Sequence, residues 1–576
     1  MFLTAPKKFL AQIHKNLGSD ILSTNHKKYL IAAFSILFPL FLIPHCVNPD
    51  FWFLLNDGRY VMEHGFPHTD PFSLHENLHF VMQQWLSAVI FWNVWHFFGE
   101  SGISVLVAFV GLLTLLAFYR LCFLVSKKNH LAASLVTVLV GMLAIHIFFH
   151  VRPQIFSTFF LLLSVLCMEQ HQQTGNMKYL FPLPVFSALL SNLHAAIWPM
   201  ILVFMLPFLM ASLPCKIISK FSISGNPQCL KPLLFSVPLV LLAGLFNPYG
   251  MEAVTYTMHS YGIDVINENI VEMFPLTFGN ATGNFFLPIL AATLILCARI
   301  KMKLQYLLLS IGCMYMAMKT CRSVFFFLMM GTLPFSFALS QLRLPEIKKQ
   351  DTSPAILRRH LLMIAGLLAI LSLQLWKNME KLANIDPPMQ VLFGIIAIAT
   401  LFLLLIPSKR LSFLSMENLR NKAAVLLVSL SFLTFFLAGH KSDTSQYLPE
   451  GKEGIDYLAA HFSPDEVRLW TDFVEGSYAG FVGFHPYIDS RAEVFLKALN
   501  HQKDILQEYS NLINGWIYYK DFLDSYQFTH LLTKEGSYID NCLLHDSDYE
   551  ILYEYDAHSE DSTVTHCRLF AKKSKG

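Results

Sequence analysis

Thirteen apolar runs, each close to the length of a membrane-crossing helix, divide the first 440 residues of this chain. Lipid offers no partner for an unpaired backbone N–H or C=O, so a crossing segment must satisfy its own groups, as a helix of about 20 apolar residues does. The runs lie near 29–47, 101–125, 131–150, 154–169, 179–194, 196–213, 232–247, 285–299, 304–320, 323–341, 361–376, 388–406 and 422–439. Composition agrees: 54% of the residues are apolar and 14% charged, too little charge for an ordinary soluble enzyme. The expected class is a polytopic α-helical membrane protein.

The placement of Lys and Arg orients the bundle, because cytoplasmic connections retain positive charge. Basic residues cluster at Lys7, Lys8, Lys15, Lys27 and Lys28, at Lys127 and Lys128, at Lys178, at Lys216, Lys220 and Lys231, and at Arg299, Lys301 and Lys303. Further clusters follow between 343 and 359 and between 409 and 422. The alternate connections hold only Arg59, Arg152, Lys319, Arg322, Lys377 and Lys381. The N-terminus is therefore expected inside a cytoplasmic (inner) membrane and the C-terminus outside. Segment 84–98 is apolar but short, and its three Trp suit the headgroup zone, so it is read as an interfacial helix. Counting it as a crossing would invert every later connection. Residues 1–28 form a cytoplasmic N-terminus without the apolar core of a signal peptide, and the first run is expected to stay as an anchor.

Residues 29–440 thus form the transmembrane region, with two long external loops at 48–100 and 248–284. Long polar loops between packed helices are where chemistry is sought. From about 445 to 576 the composition turns globular, and this part is expected to be a soluble extracytoplasmic α/β domain. Its pattern predicts a helix at 450–462, strands at 466–473, 487–491 and 528–533, mostly helix over 493–526, and a closing antiparallel pair from YEILYEYD and HCRLFAKK.

Several functions are excluded or disfavoured. A net charge of +2 gives no footprint for a nucleic-acid partner. No Gly-x-x-x-x-Gly-Lys loop occurs, which argues against direct ATP use. Eight of the ten cysteines lie in or beside apolar runs without Cys-x-x-Cys spacing, and His68, His75 and His79 match no standard zinc site, so no metal site is assigned. Cys542 and Cys567 have the option of a disulfide in an oxidising compartment.

The first external loop concentrates Asp57, Arg59, Glu63, Asp70 and Glu76. Its run Asp57-Gly58-Arg59-Tyr60, then Gly65, then His79-Phe80 followed by Trp85-Leu86-Ser87-Ala88, resembles the first external loop of the GT-C superfamily of polytopic glycosyltransferases. That superfamily includes protein mannosyltransferases, the lipid A aminoarabinose transferase and oligosaccharyltransferase subunits. The layout is similar too, and bacterial membrane proteins of undefined function share Arg152-Pro153-Gln154, Asn192-Leu193-His194, Asn247-Pro248-Tyr249-Gly250 and Asp489-Ser490-Arg491.

The resemblance implies transfer of a sugar from a polyprenyl-phosphate-linked donor at the outer face, with lipid-linked donor and membrane lipids as partners, no cofactor, and an unknown acceptor. By position Asp57 matches the acid at the reaction centre, where it would deprotonate or orient the acceptor; Asp70 and Glu272 are further candidate acids. Arg152, Arg322 and the weaker Lys319 are candidate donor-phosphate ligands, since Arg grips phosphate through paired hydrogen bonds. Arg59, Gln84, Trp85, Asn192 and His194 are assigned to the substrate groove. The chain departs from its relatives in two places. Arg152-Pro153-Gln154-Ile155-Phe156 lacks the second acid that many relatives carry, which weakens metal dependence, and Met82-Gln83-Gln84 replaces a Lys-Pro-Pro type element. In the last 130 or so residues, Asp472, Glu475, Asp489 and Arg491 suggest recognition or scaffolding. Two rival readings stand beside transfer: a transporter or flippase of a lipid-linked glycan, and a noncatalytic envelope-assembly protein in which Asp57 is dispensable.

Overall fold

The computed structural model describes residues 50–213, 223–260, 271–278, 281–341, 449–558 and 564–573, together with most of 32–40. The runs at 361–376, 388–406 and 422–439, most of the first run, and Asp264 and Glu268, which the second long loop offers beside Glu272 as candidate acids, lie outside the described residues.

Helices occupy the predicted runs over the described part. They are α1 (Asp50–His64), α2 (Trp85–Val125), α3 (His130–Phe148), α4 (Gln154–Thr174), α5 (Pro182–Leu193), α6 (Met200–Ala211), α7 (Leu230–Gly244), α8 (Met251–Ser260), α9 (Ala281–Arg299), α10 (Leu304–Lys319) and α11 (Leu333–Gln341). Among the described residues, four helical stretches are long and apolar enough to cross a membrane: Trp85–Val125, Pro227–Gly244, Thr282–Arg299 and Cys321–Gln341. The break between the expected interfacial helix and the next crossing falls inside α2. Gly99 there takes φ 61° and ψ −156°, a conformation that costs glycine little, and the helix changes course. Phe97 and Phe98 stand exposed beside the break.

α1 was not expected as a helix within the first loop. Its first turns, Phe51 to Gly58, are buried all round, and the helix emerges from Arg59 onward. Gly58 makes that burial possible, because a Cβ there would lie 2.2 Å from the Ala88 carbonyl oxygen of α2. One polar group deep in the bundle, Glu169 on α4, is satisfied by Tyr306 (2.5 Å), Gln173 (2.7 Å), Gln305 (3.3 Å) and Lys303 (3.3 Å), as a buried carboxylate requires.

The C-terminal region is built on a four-stranded sheet of β1 (Leu469–Trp470), β2 (His530–Lys534), β3 (Tyr549–His558) and β4 (Val564–Lys572), in the order β1-β2-β4-β3. β1 runs parallel to β2, and the other pairings are antiparallel. Around it lie α12 (Lys452–His461), α13 (Glu475–Val482), α14 (Ile505–Ile513) and α15 (Tyr519–Tyr526). The expected strand at 487–491 is corrected: only a single bridge, Leu469 to Pro486, forms there. The chain at this point instead turns Asp489 and Arg491 inward as a buried ion pair. Cys542 and Cys567 are free thiols, so the optional disulfide is not formed.

The C-terminal region and the first loop share their cores. Phe51, Trp52 and Leu55 of α1 cluster with Leu469, Tyr478 and Leu569, and Phe72, Phe80 and Met82 cluster with Tyr487, Val494 and Phe495. Trp52 meets the Tyr478 ring edge-on at 4.9 Å. Arg59 donates to the Phe481 carbonyl at 2.9 Å and Asn56 to that of Gly480 at 3.1 Å.

Candidate functional site

A cavity of about 360 Å³ lies where α1, the segment 80–84, the start of α4, Tyr256 of α8 and residues 490–494 converge. Its lining mixes polar residues, among them Asp50, Asp57, Gln84, Arg152, Gln154, His194, Glu272, Arg322 and Glu493, with apolar ones that include Phe148, Phe325 and Phe326.

Asp57 reaches the cavity from the buried part of α1 and is only 2% exposed. Its Oδ1 has no hydrogen-bond partner. Desolvation pushes its pKa up to about 8, against the opposing pull of Arg491. A carboxyl poised there exchanges a proton near neutral pH, which is the requirement for a general base or acid.

Arg152 and Arg322 both line the cavity but differ in their surroundings. Arg152 is held by Asp50 at 3.0 Å and Glu272 at 2.7 Å. Desolvation raises the Asp50 pKa despite Arg152, whereas at Glu272 the Arg152 and Arg322 charges outweigh desolvation and hold the carboxyl below its usual range. Arg322 meets a neutral partner: Gln154, with its amide oxygen turned to the guanidinium, accepts from Nε at 2.8 Å and Nη2 at 3.1 Å. Among the described residues no group of three His, Cys, Asp or Glu converges as metal ligands.

The remaining candidates fall in different places. Gln84 and His194 line the cavity, and His194 Nδ1 pairs with the Ser157 hydroxyl at 2.8 Å. Trp85 and Asn192 stand behind the wall, with the indole N–H donating to Asn192 Oδ1 at 2.9 Å and Asn192 donating in turn to the Phe246 carbonyl at 2.7 Å. Arg59 packs against Trp92 and Phe481 and does not line the cavity. Lys319 is exposed outside it. Asp70 is also outside the cavity and is locked to Arg491 at 2.7 Å. Burial alone would raise its pKa, but Arg491 and the Ser73 hydrogen bonds outweigh that and lower it, which suits a fixed anion rather than a proton carrier.

Sequence reasoning passed over Asp50, Gln154 and Glu493, and it set Arg491 apart from the site. The signal for Asp50, an acid at the start of a helix, where the positive end of the dipole favours it, depended on α1, which the sequence did not reveal. The contribution of 490–494 had none, because it comes from a part of the chain more than 400 residues from α1. The motif Asn247-Pro248-Tyr249-Gly250 serves as a clip: Gly250 adopts φ 57°, Asn247 Oδ1 accepts from the Tyr249 N–H at 2.9 Å, and the Tyr249 hydroxyl donates to the Pro67 carbonyl at 2.9 Å.

By sequence, the chain matches no protein-family model and no curated protein. Its structure is similar to AglB, an oligosaccharyltransferase from Archaeoglobus fulgidus in complex with an inhibitory peptide and a dolichol-phosphate, with 10% identity, a TM-score of 0.51, and coverage of 89% of this chain and 70% of that one. The apo form of the Archaeoglobus fulgidus oligosaccharyltransferase gives 12% identity and a TM-score of 0.50, covering 95% and 74%. ArnT from Cupriavidus metallidurans, bound to undecaprenyl phosphate, gives 12% identity and a TM-score of 0.43, covering 94% and 97%. At such identities the likeness is one of fold alone.

Proposed function

Proceeding from that fold, we propose that this chain is a membrane glycosyltransferase that moves a sugar from a polyprenyl-phosphate-linked donor to an acceptor at the outer face of the cytoplasmic membrane. The observation that carries the reading is Asp57, a buried carboxyl with an unpartnered oxygen, in the same cavity as the Arg322 guanidinium. Asp57 takes the proton of the acceptor O–H or N–H as that atom bonds to the anomeric carbon, and the bond from that carbon to the phosphate oxygen breaks. Arg322 receives the charge that develops on the leaving phosphate. It is better suited than Arg152, whose charge two carboxylates already offset. The aromatic lining residues Phe148, Phe325 and Phe326 suit the start of a lipid chain.

The test uses purified full-length protein in lipid nanodiscs with polyprenyl-phosphate sugars and a panel of acceptors. Wild type should bind the donor and transfer its sugar, and Asp57→Ala should bind without transfer. Binding without transfer in both, across the panel, would turn the reading toward transport or assembly.

A further inference from the structure

Arg491 lies 4% exposed at the junction of the C-terminal region with the first loop. Its Nε donates to both oxygens of Asp489 at 3.0 and 3.1 Å, one terminal nitrogen reaches Asp489 at 2.5 Å, and the other reaches Asp70 at 2.7 Å. The guanidinium also lies 4.8 Å from the Phe72 ring centre and 5.2 Å from that of Phe80, where the ring faces attract it. Asp70 in turn accepts from the Ser73 and Phe72 backbone N–H groups, and its own N–H donates to Leu78. One side chain therefore pins the segment that runs directly into the cavity wall at Phe80 to Gln84.

Resting on the proposed transfer, we propose that Arg491 is a positioning residue for it: Arg491 fastens the first-loop segment to the C-terminal region and, with Asp489 and Asp70, sets the charge against which Asp57 works. Those three are the ionised side chains that act on Asp57. The Tyr249 phenol feels Asp57 in turn. Of the helices packed on α1, α2 buries Ser87, Ala88 and Phe91, and α13 presents Tyr478 and Phe481 and carries Glu475, which is paired with Lys534; Asp50, Arg152, Glu272, Arg322 and Glu493 line the same cavity as Asp57. With Asp489 and Asp70 ionised, the cluster carries one excess negative charge, which disfavours ionisation of Asp57.

The experiment compares wild type, Asp489→Asn and Arg491→Lys as full-length protein in nanodiscs. It follows transfer against pH and, separately, the infrared band of the protonated Asp57 carboxyl, identified by its loss in Asp57→Asn. Asp489→Asn removes the excess negative charge, so the acid limb of transfer and the infrared midpoint should move together toward lower pH by about half a pH unit or more. Arg491→Lys keeps the charge but not the fork that spans two carboxylates, so the midpoint should stay while kcat falls several-fold. A midpoint that stays put or rises in Asp489→Asn overturns the inference, whatever happens to the rate. Absence of transfer in wild type at every pH counts against the proposed function instead, while the infrared titration, which needs no turnover, still decides whether the cluster governs Asp57.

Discussion

Because the first turns of α1 are buried on every side, ionising Asp57 places a charge where little water reaches it. Its pKa of about 8 exceeds the ordinary 3.8, so the folded protein holds the proton more tightly than the unfolded chain does. The stability this gives is present in full below about pH 4 and is lost as pH rises toward 8. Asp57→Asn should therefore raise the apparent melting temperature over wild type by an increment that is near zero at pH 4 and largest at pH 8, measured by thermal scans across that range. The same substitution should slow transfer about 10²–10⁴-fold, and the wild-type rate should climb with pH through about 8. At the phosphate end, Arg322→Gln should raise the donor KM about tenfold or more through loss of a charge-assisted contact, with little change in melting temperature. Arg152→Gln should lower the melting temperature, because it leaves Asp50 and Glu272 without their shared partner. Donor titrations beside thermal scans separate the two. Arg152 and Arg322 were legible as residues just outside helix ends, Asp57 through the first-loop resemblance and Glu272 as an acid of the second long loop. Asp70 was not distinguishable from them, since a solvated loop acid and one buried against an arginine 421 residues away read alike in sequence.

Helix positions were legible from apolar length alone, and the break at Gly99 fell between a Trp-rich stretch and a longer aliphatic one. α1 was hidden because its buried turns mix Asn56, Asp57 and Gly58 into an aromatic run and give no one-sided apolar stripe. Its placement depends on close approach to α2. Gly58→Ala would put a methyl group 2.2 Å from the Ala88 oxygen, and since neither backbone yields easily, a loss of about 1–3 kcal/mol is expected. Activity should fall with stability here, because Asp57 is the preceding residue. Melting temperature and kcat measured on the same preparation would check this, and a variant that stayed stable yet inactive would show that α1 shifts without unfolding.

At the scale of the whole molecule, the C-terminal region and the first loop behave as one packed body, joined through Trp52, Tyr478, Phe481 and the Arg491 fork. Both should lose structure in a single thermal transition when followed by tryptophan fluorescence and by protease sensitivity within 450–573. Trp52→Ala, which empties a large aromatic site at about 3–5 kcal/mol, should lower that transition or split it in two. Apolar run lengths by themselves determined the helical class of the molecule and most of the helices among its described residues, because crossing lipid is a local demand that each segment meets with its own residues. Which acids face the cavity, which are spent on arginines, and that residues 490–494 close the site were decided only by tertiary structure. Burial and ion pairing join residues hundreds of positions apart, and neither leaves a mark on local composition or spacing.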